Sequence, residues 1–189
     1  LSDIAAQVGT LPSGMNYLVL SVANEATPTE MPGQAHYSQL LELNNDLAVA
    51  YGIHYLDVRS ILVNSYDPSS PIDVSDFRYD IIPSSLRSIE GIGTLSGDIG
   101  PADQLFTVNM AAGTLQKGFV LTVENESIYV SRVSGSTVTE CIRGFGGIVS
   151  GHSAGSSVTE LSPTHLNKHG DAVVANAVSI KLHNISGIP

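Results

Sequence analysis

Apolar residues recur at helical spacing at the start of the chain. Leu1, Ile4, Ala5, Val8 and Leu11 fall on one face, and Pro12-Ser13-Gly14 ends the pattern. Tyr17 to Val22 is a short, nearly continuous apolar run, suited to a strand covered on both faces. Asn24 to Gly33, rich in Pro, Thr and Glu, reads as loop. A second helix is predicted from about Ala35 to Tyr51, with Leu40, Leu43, Leu47 and Tyr51 on one side and Glu42, Asn45 and Asp46 on the other; Gly52 stops it. Ile53 to Val58 follows as another apolar strand. Helix, strand, helix, strand with short links predicts a parallel sheet with right-handed crossovers.

From about Ser88 the period changes to two and Gly and Thr become frequent. Candidate strands are Leu105–Val108, Phe119–Val123, Ser127–Val130, Thr137–Thr139 and Ser156–Thr159. Gly113, Glu124-Asn125, Ser134-Gly135 and Gly146-Gly147 supply turns between them. That spacing predicts a small antiparallel barrel or sandwich. Helical periodicity returns after His165, where Val173, Val174, Ala177, Val178 and Leu182 share a face. The expected organisation is an α/β unit, residues 1–87 and 162–189, interrupted by a β-rich module, residues 88–161.

Composition narrows the function classes. The 189 residues are 42% hydrophobic and 14% charged, enough for a folded core. Eight basic residues, thinly scattered in a chain of net charge −10, argue against a nucleic-acid partner. Cys141 is the only cysteine; an intrachain disulfide is excluded, and the alternating apolar pattern around it predicts a buried structural thiol. No apolar run approaches the roughly 20 residues needed to span a bilayer, so membrane insertion is not expected. The start, Leu1-Ser2-Asp3-Ile4, lacks Met and any signal-peptide pattern and reads as a cut into a longer polypeptide.

The segment from Ser162 to Gly170 carries the clearest candidate chemistry. His165 follows the Pro163 turn, Asn167 stands where it can cap the following helix, and Gly170 begins the apolar helical run. A histidine at such a junction is either a general base or a loop residue bonded to backbone. His165-Leu166-Asn167 resembles the last conserved block of the SGNH (GDSL-like) hydrolases, in which Asp-x-x-His-x-Asn supplies the base. The Asp position reads Ser162 here. Tyr17–Val22, the helix through Asp46-Leu47-Ala48, and Ile53–Val58 look like the fourth strand, following helix and fifth strand of that family. Asp80–Arg87 is similar to the segment leading into the His block in versions found on bacteriophage tail fibres and tailspikes. Asp103–Thr159, with Cys141–Gly147 and the His152-x-x-Gly155 turn, resembles a small β module of phage tail proteins.

The resemblance implies a flavodoxin-like parallel sheet and a serine esterase that removes O-acetyl groups from a host cell-surface polysaccharide. It implies His165 as base, Ser162 at the orienting position, and Asn167 and Gly170 as structural residues at the site. Asn24 and Glu25, at the carboxyl end of a predicted parallel strand, are candidate substrate contacts. The family's Gly-Asp-Ser nucleophile block, oxyanion glycine and Gly-x-Asn block are absent, and Gly97-Asp98 is followed by Ile99. Alone, the chain is therefore expected to be inactive, carrying at most the base. Glu160 and Asp80 are candidate substitutes for the missing carboxylate.

The other expectation is a non-catalytic tail protein that keeps the fold as a scaffold. Both place the chain on the virion tail with other tail proteins, as a homo-oligomer that the resemblance makes trimeric. Neither implies a cofactor. The histidines lack metal spacing: His165 and His169 lie four apart, with no third ligand evident. Gly144-Phe145-Gly146-Gly147 opens no helix and is read as a bulge or turn. Arg132, Arg143, Tyr129 and Phe145 are either a sugar-binding patch or part of the module's core.

Overall fold

The computed structural model describes residues 1–186. Helix α1 (Ser2–Gly9), strand β1 (Val19–Leu20), helix α2 (Ala35–Tyr51), strand β2 (Tyr55–Leu56), helix α3 (Val58–Val63) and helix α4 (Pro71–Arg78) come first. Six antiparallel strands follow: β3 (Arg87–Leu95), β4 (Phe106–Ala112), β5 (Val120–Val123), β6 (Glu126–Ser134), β7 (Thr137–Ile142) and β8 (Ser157–Leu166). They close into a barrel in the order β3-β4-β7-β6-β5-β8, and helix α5 (Lys168–Ser186) ends the described chain.

The expected flavodoxin-like parallel sheet does not form. The barrel is the main sheet, and among the described residues the parallel part is only β1 beside β2, with Val19 opposite Tyr55 and Leu20 opposite Leu56. Local side chains explain the short ladder. The Asn44 amide of α2 accepts from Val22 N at 2.7 Å and donates to Val22 O at 2.8 Å, occupying backbone groups a further strand would use. Ile53 and His54 lie in a 3₁₀ turn rather than in a strand. Asp57 then ends β2 by capping α3, its carboxylate accepting from Ser60 N at 3.0 Å.

The barrel interior is apolar. Leu95, Phe106, Val108, Leu121, Val123, Ile128, Val130, Val138 and Val158 form one buried cluster with Cys141. Burial pushes the Cys141 thiol up to about 11, which makes it a packing residue rather than a nucleophile. Two smaller clusters join barrel to helices: Ala26 and Ile81 meet Val120 and Phe145, and Leu62, Ile82 and Leu86 pack with Leu166, Val173 and Val174. Phe145 thereby belongs to the core; Arg132 is exposed and pairs with Glu140 at 3.5 Å.

β3 is the strand that period-two counting misses, because Gly91 and Gly93 interrupt its apolar pattern. A Cβ on Gly93 would lie 2.6 Å from Asn109 O, and one on Gly91 would lie 2.6 Å from Met110 Cε. The β4 backbone therefore excludes a side chain at Gly93, while one at Gly91 would require Met110 to move. Gly93→Ala is expected to destabilise the chain by about 1–3 kcal/mol through this backbone contact. Urea unfolding checks it, and an unchanged midpoint would show that β4 can shift freely.

Candidate functional site

His165 stands near the end of β8, two residues before the Asn167 cap, and its side chain is exposed. Asn167 Oδ1 accepts from His169 N at 2.9 Å and Gly170 N at 3.0 Å, while its Nδ2 donates to Ser85 O at 2.8 Å and Arg87 O at 3.1 Å. One side chain thus starts α5 and fixes it to the chain entering the barrel. Gly170 sits where a Cβ would come 2.7 Å from Leu86 O.

Ser162 is fully buried, and its hydroxyl is committed to backbone. It accepts from His165 N at 2.9 Å and from Thr164 N at 3.3 Å, which shapes the turn that presents His165. The hydroxyl does not bond to the imidazole. Among the described residues the His165 ring has no hydrogen-bond partner and no carboxylate within salt-bridge distance. Both candidate substitutes are engaged elsewhere. Glu160 is enclosed in the barrel wall, where Oε1 accepts from Gln116 N at 2.6 Å; burial, and then the neighbouring Glu90, raise its carboxyl above the ordinary range. Asp80 pairs with Arg59 and accepts from the Tyr37 hydroxyl.

The Asn24–Ala26 loop does meet the histidine segment: Ala26 N donates to Pro163 O at 3.0 Å. Asn24, however, is buried, its Oδ1 accepting from Arg59 Nε at 3.1 Å and its Nδ2 donating to Asp80 O at 3.0 Å. Its amide is used in holding the loop. Glu25 is exposed and held through its backbone, its N donating to Glu30 Oε2 at 2.6 Å and its carbonyl accepting from Thr27 N at 2.8 Å. Asp80 has φ of 56°, an uncommon conformation for a residue with a Cβ. Its carboxylate contacts and the Asn24 bond to its carbonyl together hold it there. Arg59 also lies over the Tyr37 ring, 5.7 Å from the centroid. Sequence spacing gives no sign of this Asn24–Tyr37–Arg59–Asp80 cluster, which unites four separate segments.

A second polar network lies at one end of the barrel. Glu126 is fully buried and receives Arg143 through both oxygens, Nε at 2.8 Å and Nη2 at 2.9 Å. It also accepts from Gly144 N at 2.9 Å and Ser150 N at 3.1 Å. The His152 ring lies between Glu126, 2.8 Å from Nε2, and Glu124, 3.1 Å from Nδ1. Arg143 further donates to the carbonyls of Gly100, Asp103 and Ser150, so one carboxylate and one guanidinium organise the loops at that end. This network, and not a sugar patch, is what engages Arg143.

A third network surrounds Arg87, which is almost fully buried. Nη2 donates to Ser84 Oγ at 2.6 Å and lies 3.4 Å from Asp76 Oδ2, while Nε and Nη1 have no partner among the described residues. Burial raises the Asp76 carboxyl, with Arg87 and the Ser84 hydrogen bonds opposing the shift. Among the described residues no group of three or more metal-ligating side chains converges, and no helix is long and apolar enough to cross a membrane.

Comparison with protein-family models, curated proteins and solved structures finds no match to this chain.

Glu126 makes a pH prediction. Burial alone would raise its carboxyl, but the hydrogen bonds from Arg143, His152 and the two backbone N–H groups outweigh it and hold the group below the ordinary range. A depressed folded-state pKa means that the unfolded chain binds more protons in that window. The stabilisation is present above the ordinary glutamate value of about 4.3 and is lost as pH falls through the folded value. The urea midpoint should therefore drop steeply below about pH 4.3. Glu126→Gln should cost about 3–5 kcal/mol at neutral pH, by leaving Arg143 buried without its charge partner, and should flatten the acid limb. An equally steep limb in that variant would assign the acid sensitivity to other carboxylates.

Proposed function

We propose that the chain is a non-catalytic binding component of a bacteriophage tail fibre or tailspike, in which a β barrel and its helical support form a receptor-binding unit for host surface polysaccharide. The observation that carries the non-catalytic part is the state of His165: exposed, with no carboxylate among the described residues to orient it and with the Ser162 hydroxyl already bonded to backbone. A triad base needs its tautomer and orientation fixed, and losing the orienting Asp can cost about 10⁴ in rate. The phage assignment is supported by the resemblance of Asp80–Arg87 and Asp103–Thr159 to tail-protein segments. It implies a virion-tail location beside other tail proteins, with trimeric assembly.

One observation favours a second reading, in which the chain is the His-bearing half of an SGNH-type carbohydrate esterase. The Ala26–Pro163 bond sets the loop that follows β1 against the His165 segment, which is where a substrate held at the end of that strand would meet a histidine base.

Two measurements separate the readings. The isolated chain should turn over p-nitrophenyl acetate no faster than its His165→Ala variant, while the labelled chain should adsorb to encapsulated host cells and not to the same cells stripped of capsule. A fluorophosphonate adduct on a virion protein that co-purifies with this chain, lost with His165→Ala, would establish the esterase instead. Equal adsorption to stripped cells would refute polysaccharide binding.

A further inference from the structure

We infer that a cavity between α4 and the Gly146–Ile148 turn binds one carboxylated sugar unit, with Arg78 as the carboxylate receptor. The inference rests on the reading of the chain as a polysaccharide-binding protein and names the site and the kind of sugar. Ser75, Arg78 and Tyr79 from the end of α4 face Gly146, Gly147 and Ile148 across a cavity of about 260 Å³. That is just below the roughly 300–1,000 Å³ of sites for drug-sized ligands, which suits a single monosaccharide residue.

Charge points to an anion. Arg59, Arg87, Arg132 and Arg143 each lie within salt-bridge distance of a carboxylate, whereas Arg78 has no such partner among the described residues. Arg78 is exposed and lines the cavity. The nearest carboxylates in sequence are already neutralised, Asp76 by Arg87 and Asp80 by Arg59, so its charge stands uncancelled at the cavity wall. A guanidinium presents a planar fork of donors matched to a carboxylate, and this geometry favours a uronic acid over a neutral hexose.

Shape supplies the sugar. Tyr79 is 39% exposed and lines the cavity with the apolar Ile148. Ser75 Oγ has no hydrogen-bond partner among the described residues and is free to bond a ring hydroxyl. Opposite them the wall is glycine. A Cβ on Gly147 would lie 3.1 Å from the Tyr79 ring, and one on Gly146 would lie 3.2 Å from Ser75 Oγ. Both glycines have φ of 102°, a conformation that disfavours a side chain on this closely approaching turn, where it would narrow the cavity further.

The test titrates methyl β-D-glucuronide and methyl β-D-glucoside into the ¹⁵N-labelled full chain. The glucuronide should shift the amides of Ser75–Tyr79 and Gly146–Ile148 and bind at least about tenfold tighter than the glucoside, as loss of a charge-assisted bidentate contact implies. Arg78→Gln should abolish that preference with an unchanged melting temperature, and Tyr79→Leu should weaken both sugars. Equal binding of the two sugars, shifts confined to another surface, or an Arg78→Gln variant that still prefers the glucuronide would overturn the proposal. Cell adsorption is read separately. Adsorption that persists undiminished in Arg78→Gln, with no glucuronide binding, removes this site and leaves the polysaccharide reading intact. Glucuronide binding at the cavity without adsorption does the reverse.

Discussion

β3 and β8 lie side by side, with Arg87 opposite Leu166 and Gly91 opposite Glu160, and this antiparallel contact closes the barrel. It also draws together two segments far apart in sequence. Because the strands meet at their outer ends, the chain leaving α4 and the chain entering α5 emerge next to each other. Asn167 N donates to Leu86 O at 2.9 Å, and the Asn167 side chain reaches the carbonyls of Ser85 and Arg87. The cluster of Leu62, Ile82, Leu86, Leu166, Val173 and Val174 packs across the two chain ends that this contact brings together. The placement of His165 on an exposed strand end follows from the same contact.

What sequence periodicity reveals here is the part fixed by near neighbours. The helix Ala35–Tyr51 is legible because its leucines recur on one face and Gly52 follows it, and the alternating strands from β4 to β7 are legible for the equivalent reason. α3 and α4 are obscured by their shortness: each starts at a single side-chain cap, Asp57 or Ser70, and Asp57 falls inside the run that reads as a strand. The parallel sheet is over-read, since a continuous apolar run shows that a segment is covered but not that a strand lies beside it. At the candidate site the local turn is legible, because Ser162 and His165 are three residues apart. The commitments of Asn24, Asp80 and Glu160 are not, because each partner comes from another part of the fold.

The electrostatics have a common pattern. A chain with few cations places most of its arginines against carboxylates in buried or half-buried positions, where each pair fixes loops rather than adding much net stability. Glu126 and Arg143 hold one end of the barrel; Asp80 and Arg59 hold the loop after β1. Arg78 departs from this pattern: among the described residues it is paired with no carboxylate.

The adjoining ends of β3 and β8 bear on how such a barrel travels between proteins. A unit whose entry and exit sit on neighbouring strands, about 5 Å apart, asks of a recipient only a surface loop with equally close ends. Its interior packing is supplied by its own strands together with Ile99 and Leu115 from its own loops. The recipient's share of the seam is little more than an apolar patch to receive Leu86 and Leu166 and a helix that tolerates glycine in its first turn. Recombination could therefore graft the barrel onto unrelated scaffolds while leaving its own loop chemistry, held by Glu126, unaltered.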